Sequence, residues 1–290
     1  MKKAVLLVAV TVLFVALSVT VFAAGAGEAD AEPAGEVDLL YVEWADAIAT
    51  TYVAEVVLEE MGYDVNTISV SAAAMWEGIA AGDAEGMLAA WLPGTHGAYL
   101  EQTEDRIDLL SATVEGARIG LMVPTYVDDV NSIADLNDYA EEFGNEIIGI
   151  DPGAGIMAAA ESSVEDYGLE LTLVEGSDAS MTAALRDAYQ NEEWIVLTGW
   201  TPHWKEAAFD LKYLEDPEGS FGGEEYVGAV AREGLAEEMP EVHAFLDNFY
   251  WSLDELGEIL LWNEENDADP RANAERWVAE NRELVESWIP

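Results

Sequence analysis

The sequence contains no cysteine, which removes disulfides, thiolate nucleophiles, cysteine-ligated zinc and iron–sulfur clusters together. Cations are nearly as scarce. Eleven Lys and Arg stand against 59 Asp and Glu, a formal net charge of −48 in 290 residues. So few cations cannot build the basic face that a phosphate backbone requires, which excludes nucleic acid as a partner, and anionic membrane surfaces are disfavoured on the same ground. The three histidines, His96, His203 and His243, stand far apart, and none is paired at the spacing of a metal site. No Gly-x-Ser-x-Gly elbow occurs, and the acidic stretch from Asp267 to Asp269 lacks the glycine and spacing of a calcium loop. Catalysis, a metal and a cofactor all lack positive support.

What is present is apolar mass. Hydrophobic residues make up 51% of the chain and aromatics 10%, too rich for a disordered acidic polymer. A chain of this length suits one large domain or two lobes and buries roughly three quarters of its unfolded surface. At the N-terminus, Lys2 and Lys3 precede an apolar run from Ala4 to Val21, and Val21-Phe22-Ala23 offers small residues for cleavage. Residues 1–23 are therefore expected to be a secretory signal, placing the protein outside the cytoplasm, in a periplasm. An uncleaved signal would instead anchor it, because a run of about 20 apolar residues can span a bilayer. Loss of Lys2 and Lys3 with the signal takes the charge from −48 to −50. Residues 24–35 read as a flexible acidic tether. So acidic a surface repels itself, and screening by salt relieves it, which predicts a halophilic or salt-exposed source.

Beyond the tether, short apolar runs alternate with helical patterns, the mark of βαβ units and mostly parallel sheets. Strands are expected over 39–42, 86–90, 120–123, 147–150, 171–174 and 195–198. Helices are expected over 48–61, 75–81, 156–167 and 180–189. Capping boxes stand at Ser132 with Asp135 and at Ser252 with Glu255, and Asp269-Pro270 opens a late helix. The same α/β unit thus occurs twice, followed by a helical tail, which implies an α/β clamshell with the ligand between two lobes. Lobe 1 is expected at 36–123 plus about 232–290, lobe 2 at 124–231, with crossings near Val123–Pro124 and between Val227 and Gly234.

Ten tryptophans are unevenly placed. Trp44, Trp91 and Trp200 each close an apolar run that reads as a buried strand, and ligands of open α/β sheets bind beyond the carboxyl ends of strands. Trp91 leads through Pro93 to His96, and Trp200 leads through Pro202 to His203. Trp76, Trp194, Trp251, Trp262, Trp277 and Trp288 lie on helical or loop patterns and read as packing residues. Three rings in one cleft suit a quaternary ammonium group, which accepts no ordinary hydrogen bond but is drawn to π faces. A second signal is Ile147-Ile148-Gly149-Ile150-Asp151-Pro152-Gly153-Ala154-Gly155-Ile156-Met157, a strand, a glycine-rich turn and a helix start. The free N–H groups of Gly155 and Ile156 would face a carboxylate or phosphate at the positive helix end. The same turn also reads as a plain tight connection. Gly153-x-Gly155-x-x-Ala158 partly matches a dinucleotide fingerprint, leaving an exported cofactor-dependent enzyme as a distant alternative. Exposed aromatics leave a glycan-binding surface protein as another.

Several segments together carry a resemblance. Tyr41-Val42-Glu43-Trp44 with Asp46-Ala47-Ile48-Ala49, Met75-Trp76 with Gly82-Asp83-Ala84, Ala90-Trp91-Leu92-Pro93 with Thr95-His96, and the run Gly149 to Met157 are similar to glycine betaine-binding proteins of ABC importers. So are Ala179 to Leu185, Thr198 to Trp204 and Asp210 to Leu214, in the family's order, from about Val37 to about Trp262. The resemblance implies a type II-like periplasmic-binding-protein clamshell, no catalysis, and delivery of glycine betaine or a close betaine to an ABC permease in the inner membrane. It implies a cage of Trp44, Trp91 and Trp200 around the ammonium, with the carboxylate held by the N–H groups of Gly155 and Ile156 and by His96. Choline or carnitine is the alternative ligand, and a monomer the expected state. The chain departs from relatives that carry a lipid-attachment cysteine, and its acidity is extreme.

Overall fold

The computed structural model describes residues 33–265 and 268–290; the expected signal segment and the tether up to residue 32 lie outside them. The first half of the molecule is built on strands β1 (Glu36–Tyr41), β2 (Asp64–Ser69) and β3 (Gly86–Leu92), parallel and ordered β2-β1-β3. Helices α1 (Ala45–Glu60) and α2 (Ala72–Ala81) connect them. Every residue of β3 is buried, as a strand covered on both faces requires. After a short helix α3 (Gly97–Thr103), β4 (Ile107–Pro124) leads to the second half. There β5 (Glu146–Ile148), α4 (Gly155–Asp166), β6 (Thr172–Val174), α5 (Asp178–Asn191) and β7 (Leu197–Thr201) repeat the arrangement, with order β6-β5-β7. The doubled α/β unit is therefore present, and the capping box of Ser132 and Asp135 opens a 3-10 helix between β4 and β5.

The middle of the sheet differs from the expected parallel arrangement. Beyond α6 (Lys205–Ala208) come β8 (Leu211–Tyr213) and β9 (Glu225–Arg232), and the full order is β2-β1-β3-β9-β4-β7-β5-β6, with β8 also on β4. β9 runs antiparallel to both β3 and β4, and β4 antiparallel to β7. The expected strand at 120–123 is only the end of β4, which has 18 residues. Its earlier part, Ile107 to Ala112, is half-buried or exposed throughout, so it lacks the continuous apolar run that marks a doubly covered strand. β2 escaped detection for a related reason, since as an edge strand it is largely exposed. β4 changes partners between Ala117, opposite Glu225 of β9, and Arg118, opposite Thr201 of β7.

The tail folds back on the first half as α7 (Leu235–Glu238), α8 (Pro240–Asn248), α9 (Leu253–Asn263), α10 (Pro270–Glu280) and α11 (Arg282–Trp288). The scarce arginines do structural work here. Arg271 of α10 reaches Glu59, and Arg282 of α11 reaches Glu60, both on α1. Trp251, Trp277 and Trp288 interlock with Phe245 and Phe249 beneath them. Among the described residues no helix is long and apolar enough to cross a membrane.

Candidate ligand-binding site

The carboxyl ends of the parallel strands from both halves meet in one place, as open α/β sheets dictate. Trp44 is the N-cap of α1, a short step beyond the end of β1. Trp91 and Trp200 lie within β3 and β7, each the penultimate residue, rather than beyond the strands as the sequence suggested. Trp91 pairs with Val227 and Trp200 with Ile119, and each ladder stops at the following proline, which has no N–H to give. All three rings line a cleft of about 280 Å³, open mouth included, at the small end of ligand sites. Gly155 and Ile156 line it as well, and Thr95 and Ile119 complete its walls.

Two carboxylates hold the rings by their edges. The Trp44 indole N–H donates to Asp151 Oδ2 at 2.9 Å, across the two halves. Asp46, in the first turn of α1, takes the other two: Trp91 donates to its Oδ2 at 3.3 Å and Trp200 to its Oδ1 at 3.2 Å. Asp46 is 2% exposed, and burial pushes its pKa up to about 6, reinforced by nearby Asp178 and resisted by the two indoles. Asp178, at the start of α5, caps α1 from the opposite half by accepting the Ala45 N–H at 3.0 Å. It also bonds His203 Nε2 at 3.0 Å. The Lys205 N–H donates to His203 Nδ1, so the His203 proton sits on Nε2, directed at Asp178. Burial holds His203 neutral, with its pKa lowered to about 4.

The other end of the cleft is the start of α4. The N–H groups of Gly155 and Ile156 have no acceptor among the described residues, and they lie at the positive end of the helix. A Cβ built on Gly155 would stand 2.0 Å from the Thr95 carbonyl oxygen, so only glycine allows the two halves to close here. Thr95 is fixed in turn by Glu225, which accepts its N–H at 2.8 Å, and the buried Thr95 hydroxyl has no partner among the described residues. His96 is fully buried but is not among the residues that line the cleft. Its Nδ1 accepts the Trp91 N–H at 3.1 Å, which places the proton on Nε2, and that N–H has no acceptor among the described residues. Burial lowers its pKa to about 3, so the ring is neutral and remains a donor. Asp46, Asp151, Asp178 and Thr95 were not singled out from sequence as site residues; only the position of Asp46 two residues after Trp44, in a first helical turn, offered a signal.

With this geometry in view, the comparisons with known proteins are direct. The OpuAC family model, the substrate-binding domain of ABC-type glycine betaine transport systems, matches residues 35–280, and the chain belongs to that family. Its fold is that of periplasmic binding proteins. Lactococcal OpuAC, in its closed conformation complexed with glycine betaine, is 37% identical with a TM-score of 0.83, covering 88% of this chain and 100% of that one. The glycine betaine and L-proline-binding protein ProX of Borrelia burgdorferi is 35% identical with a TM-score of 0.85, covering 88% and 97%. The glycine betaine/carnitine transport binding protein GbuC of Listeria monocytogenes is 40% identical over 155 residues, 52% of this chain. That match spans about half the length of the relative, 51%.

Proposed function

We propose that this protein captures glycine betaine, or a close betaine, outside the cytoplasm and delivers it as a monomer to an ABC permease in the inner membrane. One observation carries the reading. Three indole rings, edge-anchored by carboxylates, face a single small cleft that ends on the unpaired N–H groups of a helix start. A trimethylammonium group has no hydrogen to donate and is held by π faces, whereas a carboxylate suits the helix end. A zwitterion with both groups fits the two ends together. Trp44, Trp91 and Trp200 surround the ammonium; Gly155 and Ile156 receive the carboxylate, and the Nε2–H of His96 supports it. The lobes divide where β4 changes partners: residues 36–117 with 225–290 form one and residues 118–224 the other. The site holds and releases its ligand without chemistry.

A choline or carnitine receptor is the second reading, and Asp46 favours it, because a carboxylate behind two rings attracts any cation. Titration of tryptophan fluorescence with glycine betaine, proline betaine, carnitine, choline, a sugar and NAD decides the matter. Tight saturation by betaines alone is expected. A response led by choline transfers the assignment to that branch, and a response only to the sugar or NAD ends it.

A further inference from the structure

Behind Trp200 lies a group that ring packing alone does not require. Lys205, the first residue of α6, is fully buried, and its Nζ stands 3.8 Å from the centre of the Trp200 ring. Trp200 lines the cleft and Lys205 does not, so the amine covers the ring face turned away from the ligand. Among the described residues no acceptor lies within hydrogen-bond distance of Nζ. A buried ammonium without a partner is among the most costly groups a protein can hold, and a methionine would fill similar space without that cost.

The charged groups around it are already engaged. Asp46 of α1 bonds the two indoles, Asp178 of α5 bonds His203 and the Ala45 N–H, and Glu206, next on α6, accepts from Thr201 at 2.8 Å. His203 is neutral and hydrogen-bonded, with its ring 4.7 Å from that of Trp200. The three carboxylates favour a charged Lys205 from a distance, but burial outweighs them and brings its pKa down to about 7. Near neutral pH the amine is close to half charged.

We propose that Lys205 sets the affinity of the cage: as an ammonium it draws on the Trp200 π cloud from behind and repels the ligand cation, and as a neutral amine it releases the ring to that cation. The inference rests on the cage assigned above. A cation within about 6 Å of the ring on the cleft side stands roughly 8–10 Å from Nζ, close enough for repulsion to change Kd on the order of tenfold. Affinity therefore rises with pH through neutrality. By reciprocity, the ligand drives the proton off Lys205. Ionisation of Asp46 also favours the cation, but with its pKa at about 6 that step is nearly complete where Lys205 changes.

The test is Kd for glycine betaine from pH 5.5 to 8.5, measured on the wild type, Lys205→Met, Lys205→Arg and Trp200→Ala. Wild-type binding is expected to tighten about threefold between pH 6.5 and 8.5, the part of a roughly tenfold coupling that falls in that range. Lys205→Met is expected to match the tight limit throughout that range, and Lys205→Arg to stay weak and flat. Identical profiles for wild type and Lys205→Met, with Trp200→Ala still weakening binding roughly tenfold or more, overturn the proposal and leave the cage intact. Unchanged Kd in Trp200→Ala overturns the cage itself. Should the Lys205 variants fail to fold, ¹³Cε NMR of the wild-type lysines gives the answer, with Lys212 as the internal reference. The Lys205 signal is expected to titrate near neutrality, with a midpoint about one pH unit lower in saturating glycine betaine. A midpoint indifferent to ligand refutes the coupling.

Discussion

Three tryptophans of the cleft and three of the tail are almost equally hidden yet live in opposite surroundings. Trp44, Trp91 and Trp200 are 5%, 3% and 3% exposed, and Trp251, Trp277 and Trp288 are 0%, 0% and 1%. In the tail, ring meets ring. Trp277 and Trp288 stack at 6.0 Å, Phe249 stacks on Trp288 at 4.3 Å, and Trp251 meets Trp277 edge-on at 5.3 Å. Among the described residues the indole N–H groups of Trp251 and Trp277 have no acceptor, and that of Trp288 donates to the Tyr250 carbonyl at 2.9 Å. In the cleft every indole N–H is bonded to a carboxylate, and each ring lines the cavity. Burial alone thus fails to tell a core tryptophan from a binding one. On the proposed assignment, faces covered by other rings mark a core, whereas edges held by carboxylates beside a cavity mark a cation site.

The strongest way to break this comparison is to remove a tail ring. Trp277→Ala or Trp288→Ala is expected to cost about 3–5 kcal/mol of folding stability through the cavity left behind. The folded fraction is expected to bind betaine as before. Denaturant midpoints combined with titration check both halves, and a tail variant that kept its stability but lost affinity would erase the distinction.

Asp46→Asn is expected to do the reverse. Burial raises the pKa of this acid from 3.8 to about 6, so the folded state holds its proton more tightly than the unfolded chain. The ionised carboxylate therefore costs stability fully above about pH 6, and the cost fades as pH falls toward 4. A shift of about two units corresponds to roughly 3 kcal/mol, from which the loss of one indole hydrogen bond must be subtracted. The amide is expected to stabilise the fold by about 1–2 kcal/mol at pH 7, with the gain vanishing below pH 4, and to weaken betaine binding. Thermal unfolding between pH 4 and 8 measures the difference. An equal effect at both ends of that range would separate Asp46 from the titration.

These two regions also show what a sequence exposes. The cleft rings and the glycine turn were legible because the fold places its ligand at strand ends, so Trp44, Trp91, Trp200 and Gly155 follow or close local apolar runs. The carboxylates that orient them were not. In a chain with 59 acids, Asp46, Asp151 and Asp178 have no contrast until the halves are brought together. His96 came from family resemblance, and the structure gives it a local reason, since it closes the turn after β3 through the Trp91 N–H. β4 was obscured by its exposed and half-buried first part, and β9, though almost wholly buried, by the glycine and alanines that weaken its strand signal, which is why the doubled α/β unit was visible and the antiparallel centre joining its copies was not.

A direct sharpening comes from the rings of the cleft themselves. Trp44→Ala, Trp91→Ala and Trp200→Ala are each expected to weaken betaine binding roughly tenfold or more, the 1–2 kcal/mol of a desolvated cation–π contact. Trp262→Ala is the control. That ring is partly exposed and lies under Arg276, 3.8 Å from its centre, away from the cleft. Calorimetric Kd values that fall equally at all four positions would mean that stability, not contact, had been measured.

The smallest effect concerns the end of the cleft that the tryptophans do not reach. A cage alone accepts any trimethylammonium compound, and Asp46 adds attraction for a bare cation. On the proposed assignment, discrimination comes from the Gly155 and Ile156 N–H groups and the Nε2–H of His96, which a carboxylate satisfies and the hydroxyl of choline fills only in part. Leaving buried donors unpaired costs about 1–3 kcal/mol, and bonds to a charged acceptor are the stronger kind. Glycine betaine is therefore expected to bind at least tenfold more tightly than choline. His96 contributes as a neutral donor: burial brings its pKa down to about 3, so it stays uncharged from pH 5 to 8 and adds no step of its own there. His96→Ala is expected to reduce the preference by about threefold, the net worth of one hydrogen bond, while choline affinity barely moves. Competition titrations of both ligands at pH 6 and 8 measure it. A preference for betaine that survived His96→Ala unchanged would leave the carboxylate to α4 alone, and equal binding of choline by the wild type would show that the helix start receives no carboxylate.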